Sequence, residues 1–121
     1  MARDRQKAEA KGRVAEIVAI ALLTAKGYAL LKRRYRSRSG EIDLIMRKGD
    51  VTAFIEVKAR ASHDEAVESV SPTQARRIAA AAAHYMAEDP VANNGTCRFD
   101  IVAVNSTLMP KHIENAFDGA Y

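Results

Sequence analysis

One cysteine, Cys97, stands in 121 residues. That excludes an intrachain disulfide and any zinc site built on several thiolates. The longest unbroken apolar run, Ile17 to Leu23, falls well short of the ~20 residues that a membrane-spanning helix needs. A charged segment precedes it, without the layout of a cleaved leader peptide. The expectation is a cytoplasmic protein with no membrane partner. His63, His84 and His112 are scattered with no ligand spacing. Neither an internal repeat nor a second apolar body is visible. The chain therefore reads as one domain over 1–121, with 1–8 a flexible basic arm and 106–121 a peripheral tail.

Hydrophobic residues make up 48% of the chain and charged residues 28%, an ordinary balance for a packed domain and too apolar for a disordered one. Nineteen Lys and Arg against 15 acids give +4, which suits a polyanionic partner. The distribution is more informative than the total. Lys32, Arg33, Arg34, Arg36 and Arg38 crowd together around Tyr35, and Arg3, Arg5, Lys7, Lys11 and Arg13 form a second basic group.

A helix is predicted from about Arg5 to Lys26, with Val14, Ile17, Val18, Ala21, Leu22 and Ala25 as its buried stripe and Gly27 ending it. Tyr28 to Arg36 reads as a strand that turns basic, and Ser37 to Gly40 as a turn. Glu41 to Met46 alternates with the period of two expected of a strand. Lys48-Gly49-Asp50 has hairpin-turn chemistry, so Val51 to Ala59 is the returning strand. Residues 60 to 71 read as a polar loop. Ser71 and Pro72 then open a helix running to about Ala87, whose alanine run Ala79 to Ala83 suits close packing on a sheet. Pro90 to Gly95 reads as a loop, Arg98 to Asn105 as a strand, and Pro110 to Ala116 as a short edge strand. The predicted class is α/β: a mixed sheet flanked by helices in the order α-β-β-β-α-β.

The chemistry concentrates in Gly40-Glu41-Ile42-Asp43-Leu44-Ile45 and Phe54-Ile55-Glu56-Val57-Lys58. Residues two apart on a strand share a face, so Glu56 and Lys58 stand side by side, roughly 7 Å apart. Burying Ile42 and Leu44 with Ile55 and Val57 brings Asp43 onto the face of Glu56 and Lys58, because opposed residues of a hairpin share a face. Carboxylates crowded together raise each other's pKa unless a cation intervenes. Magnesium accepts one or two carboxylates, keeps several waters and takes phosphate oxygen as a further ligand. Glu16 is the one charged residue between Val14 and Ala25, in a helix apolar on most sides. Either it joins that site, or it turns to solvent or pairs with Arg13 or Lys11.

The pattern GEIDLI, then FIEVKAR, then RFDIVAV at residues 98 to 104 resembles the YraN family of bacterial proteins. That family is similar to archaeal Holliday-junction resolvases within the PD-(D/E)XK superfamily. The resemblance covers Glu9 to Val104 and implies a restriction-endonuclease-like fold. It further implies Asp43 and Glu56 as metal ligands, Lys58 as the catalytic lysine and Glu16 as the helix carboxylate. The common face of the charged group then leads to the expectation that Mg²⁺ or Mn²⁺ is held by Asp43, Glu56 and the Val57 carbonyl, with Glu16 reaching it through water. By the same resemblance Arg60 would contact phosphate. The basic run with Arg33, Arg34, Arg36 and Arg38, read from its charge beside the expected metal site, would meet nucleic acid, with DNA the expected partner. Resolvases act as dimers on a two-fold-symmetric junction, so a homodimer is admitted. Gln74 stands where relatives often carry a lysine; its amide can still bond a phosphate or water, with one positive charge fewer.

These features predict a metal-dependent endonuclease-like protein acting on DNA, including branched structures. One alternative is a nucleic-acid-binding module without turnover. Another is an interaction subunit that docks a partner through the first helix or the tail. Asp100 reads as a brace for its strand or a support for Lys58 or Arg60, and Cys97 as an inert thiol.

Overall fold

The computed structural model describes residues 2–118. Its elements, in chain order, are α1 (Ala2–Ala25), β1 (Ala29–Arg36), β2 (Glu41–Lys48), β3 (Val51–Ala59), α2 (His63–Glu68), α3 (Pro72–Glu88), α4 (Pro90–Asn94), β4 (Thr96–Val104) and β5 (Pro110–Ile113). The five strands form one sheet in the order β1-β2-β3-β4-β5. Only the β3–β4 pair is parallel, and the chain between them makes the helical crossover that a parallel pair requires. This is a mixed sheet with flanking helices, the α/β arrangement of restriction-endonuclease-like folds.

β3 is central and covered on both sides, which explains the unbroken apolar run Ala53-Phe54-Ile55. On one side α1 packs Ala15, Ala19 and Leu23 against Leu44, Met46, Ala53, Ile55, Val102 and Val104. On the other, α3 packs Ile78, Ala81, Ala82 and Tyr85 against Ile42, Ile45 and Phe54. The hairpin between β2 and β3 closes Lys48 onto Val51, with Gly49 at φ 61°, where a side chain would be strained.

Several expectations need correction. α1 starts at Ala2, so residues 2–8, expected as a flexible arm, are helical and exposed. Its buried stripe is Ala15, Glu16, Ala19 and Leu23, while Val14 and Ile17 are 41% and 59% exposed. The helix is turned away from the expected face because small alanines, rather than the bulkiest side chains, let it lie close on the sheet. The supposed loop over 60–71 holds α2, capped by Ser62 Oγ accepting the Glu65 N–H. The supposed loop at 90–95 holds α4, capped by Asp89, which accepts from the Val91 and Ala92 N–H groups. Both helices are too short to display a period. The last strand ends at Ile113, and residues 119–121 of the expected tail lie outside the described residues.

Candidate metal and nucleic-acid site

β2 and β3 pair from Lys48↔Val51 to Leu44↔Ile55, and there the ladder ends. One step further, side chains take over the strand-to-strand bonding. The Val57 N–H donates to Asp43 Oδ2 at 2.9 Å, and the Asp43 N–H donates to Glu56 Oε2 at 3.2 Å. Each carboxylate is thus tied to the strand carrying the other, at a point where the sheet opens. The apolar pattern had placed Ile42 with Leu44, Ile55 and Val57. Ile42 instead packs in the α3 cluster, with Tyr35, while Leu44, Ile55 and Val57 pack under α1. Alternation therefore breaks at the start of β2, next to the turn that α3 holds. Gly40 is essential to that contact: a Cβ there would meet the Arg77 carbonyl oxygen at 2.5 Å.

Gln74, in the first turn of α3, links the charged groups. Its Nε2 donates to Glu56 Oε1 at 3.3 Å, and its Oε1 accepts from Lys58 Nζ at 3.4 Å. This amide orientation follows from the partners, since a carboxylate accepts and an ammonium donates. Ser71 Oγ accepts the Gln74 N–H and caps the helix, fixing where the amide stands. Beside it lies a hollow of about 410 Å³ lined by Glu41, Ser71, Thr73, Gln74, Arg77 and Ile78.

Glu56 is buried, and Asp43 is partly so. Burial is the main cause that raises the Asp43 carboxyl above its ordinary range; the Val57 N–H and Lys58 oppose it, and the charges of Glu16 and Glu41 add to it. Glu56 is pushed up to about 8, first by burial and then by Asp43, against the Asp43 N–H and Lys58. Two acids held together in this way take up either protons or a cation.

Glu16 is 9% exposed on α1 and bears electrostatically on Asp43. It pairs with neither Arg13 nor Lys11. Arg33 Nη2 lies 3.7 Å from its Oε1, and Arg34 Nε 3.4 Å from its Oε2. Consecutive strand residues normally point to opposite faces. Both arginines reach one carboxylate because Arg34 adopts φ 50°, a left-handed conformation uncommon for a side-chain-bearing residue and often found at functional sites. Glu16 Oε1 makes no hydrogen bond.

The other expected contacts are more open. Arg36 pairs with Glu41 at 3.5 Å, and Arg38 lines a second hollow with Arg36, Gly40, Glu41 and Arg77. Arg60 is exposed and donates to the Ala59 carbonyl. Asp100 supports neither Lys58 nor Arg60. It is fully buried and accepts from Arg98, His112 and the Asn115 N–H. The sequence reading missed Glu41 and Arg77. Glu41 lies two residues before Asp43, and Arg77 lies one helical turn after Gln74, so both could have been placed near the site by spacing alone.

Among the described residues no three His, Cys, Asp or Glu side chains converge on one ion position. The two hard carboxylates, Asp43 and Glu56, nevertheless match what magnesium takes from proteins, with water, backbone oxygen and phosphate completing its shell.

The model of the uncharacterised protein family UPF0102 matches residues 15–104, the span from the second half of α1 through β4. The chain belongs to this family. Its UPF0102 relatives include a protein of Mesorhizobium japonicum, 48% identical, with 95% of this chain and 92% of the relative covered. Others are from Agrobacterium fabrum, 49% identical with 93% of each chain covered, and Maricaulis maris, 46% identical with 93% of this chain and 88% of the relative covered. The family is thus the YraN family of the sequence reading, and the matched span contains Glu16, Asp43, Glu56, Lys58 and Gln74. No helix among the described residues is long and apolar enough to cross a membrane.

Proposed function

We propose that this UPF0102 protein is a metal-dependent endonuclease-like hydrolase of DNA phosphodiester bonds, with branched DNA among its substrates. One observation carries the reading: Asp43 and Glu56 bridge the opened end of the β2–β3 ladder, with Lys58 and Gln74 attached. Acids raised chiefly by their burial and further by neighbouring carboxylates are a poor arrangement for stability and a good one for taking up a cation. Asp43, Glu56 and the Val57 carbonyl would hold Mg²⁺ or Mn²⁺, with Glu16 reaching it through water. When bound, such an ion lowers the pKa of a coordinated water and polarises the phosphorus centre.

The chain's own residues have distinct tasks in this reading. Glu56 would serve the ion as an ionised carboxylate ligand. Lys58 orients the attacking water or offsets charge on the phosphate oxygens in the transition state. Gln74 holds Lys58 and Glu56 in a fixed relation and offers an amide to phosphate or water. Arg36, Arg38 and Arg60 supply exposed charge for the DNA backbone, while Arg33 and Arg34 also position Glu16.

The test is cleavage of plasmid, flap and four-way-junction DNA with Mg²⁺ or Mn²⁺ by wild type, Glu56→Ala and Lys58→Ala. Cutting by wild type alone supports the reading. No cutting of any substrate, or equal cutting by all three proteins, overturns the catalytic claim. A second reading, a DNA-binding module without turnover, is favoured by Gln74, a neutral group bonded to both Glu56 and Lys58. It predicts salt-sensitive binding with no metal-dependent products.

A further inference from the structure

Residues 2–11 of α1 are exposed without exception, so the first part of the helix projects from the body. It holds its form through propensity, not packing. Alanine, arginine, lysine, glutamine and glutamate are good helix formers, and extending a helix already packed from Ala15 onward avoids the cost of nucleation. At 1.5 Å per residue, those ten residues reach roughly 15 Å, about four base-pair steps of B-DNA.

The charges on this projection are unused. Arg3, Arg5, Lys7, Lys11 and Arg13 outnumber Asp4 and Glu9, and among the described residues none of the five forms a hydrogen bond or ion pair. Spacing divides them into two flanks. Arg3, Lys7 and Lys11 recur every four residues along one side as an all-basic row, while Arg5 and Arg13 lie on nearly the opposite side with Glu9 midway between them. Between the flanks runs a row of small or neutral residues, Ala2, Gln6 and Ala10. The helix is ~10–12 Å wide and the major groove of DNA ~12 Å, with phosphates along both rims. The projection starts where the site ends: Glu9, Gly12 and Arg13 share a groove with Glu16, Arg34, Arg36 and Glu41.

We propose that the projecting half of α1 is a second DNA contact, seated in the major groove of duplex flanking the catalytic cleft; this rests on the DNA reading above. Other polyanionic partners fit less well. A membrane-surface helix needs bulky apolar side chains opposite its charges, and residues 2–11 offer only Ala2, Ala8 and Ala10. Two copies of so basic a segment would repel each other.

The experiment compares wild type, the triple variant Arg3→Ala/Lys7→Ala/Lys11→Ala and the cleft variant Arg36→Ala/Arg38→Ala. Fluorescence anisotropy follows binding to a 24-base-pair duplex at several salt concentrations. Alanine is the best helix former, so the triple variant keeps α1 intact, which circular dichroism confirms. Each lost phosphate contact reduces the slope of log affinity against log salt by about 0.9, so the triple variant should lose about 2.7. An unchanged slope in the triple variant, with a reduced one in the cleft variant, overturns the arm proposal and leaves the DNA reading standing. If wild type binds no duplex, both fall. Vesicles of phosphatidylcholine and phosphatidylglycerol form the last arm: vesicle binding lost in the triple variant, with duplex binding unchanged, would reassign the arm to membranes.

Discussion

Two buried acidic clusters lie on neighbouring strands of one sheet, and they are built on opposite principles. On β4, Asp100 is fully buried and saturated: Arg98 grips it through Nε and Nη2 at 2.8 and 2.7 Å, His112 Nε2 lies at 2.8 Å and the Asn115 N–H at 3.0 Å. Burial alone would raise its carboxyl; the bonds from His112, Arg98 and Asn115 outweigh that and hold it below the ordinary range. On β3, Glu56 has two neutral donors and a nearby acid, and it is pushed up to about 8. Saturation marks a carboxylate that holds β4, β5 and the chain after them together. An acid left short of positive partners is available for something not yet bound.

The sharpest way to break this contrast is to remove each acid in turn. Asp100→Ala strands the Arg98 charge and the donors of His112 and Asn115, and should cost about 3–5 kcal/mol, the range for breaking a buried ion pair. Glu56→Gln keeps the shape and stands in for the protonated acid that the raised pKa favours, so its metal-free stability should equal or exceed that of wild type. Urea denaturation of both variants checks the pair. Equal destabilisation would show that both acids are structural.

The effect of pH sharpens the comparison further, because the two acids shift in opposite directions. The folded state holds the Glu56 proton more tightly than the unfolded chain does. Between about pH 4.5 and 8 it therefore binds more protons, and stability falls as pH rises through that window. Asp100, with a depressed pKa, contributes stability above its unfolded value that is lost as pH falls below it. Melting curves without metal should show a smaller loss toward pH 8 in Glu56→Gln, which keeps the raised Asp43, than in wild type; the acid-side loss should persist in both.

A smaller effect tests the scaffold beneath the site. Gly40→Ala drives a Cβ into the Arg77 carbonyl, and overpacking of this kind costs about 1–3 kcal/mol. The turn and α3 must then separate, and Gln74 moves with the helix. Thermal melting and Mn²⁺ affinity should both decline, and a neutral result would show that the turn yields without disturbing the site.

Much of this site could be read from residues alone, for a definite reason. Period-two patterning identified the hairpin, and the turn at Lys48-Gly49-Asp50 set a register that runs to Leu44↔Ile55, one step short of Asp43 and Glu56. The helix opened by Ser71 and Pro72 was legible through its cap. The rotation of α1 was not legible, since Val14 and Ile17 outrank Ala15 and Ala19 in bulk while the alanines permit closer packing. The pairing of Glu16 with both Arg33 and Arg34 depends on one backbone angle at Arg34, which no pattern of side chains announces. Ile42 was misplaced because alternation assumes a regular strand, and β2 is irregular where the sheet opens. The contact between Gly40 and Arg77 is long-range, so local turn chemistry could not reveal it.

The most direct measurement is a calorimetric titration of Mn²⁺ into wild type and Asp43→Asn at pH 7, in two buffers with different ionisation heats. Wild type should bind, with a heat that changes with the buffer as Glu56, pushed up to about 8, releases its proton. Asp43→Asn should weaken binding by more than the ~10–100-fold typical of a merely supporting group. Identical isotherms for the two proteins, or no binding by wild type, would contradict the claim that these acids are left without a direct ion pair in order to take up a cation.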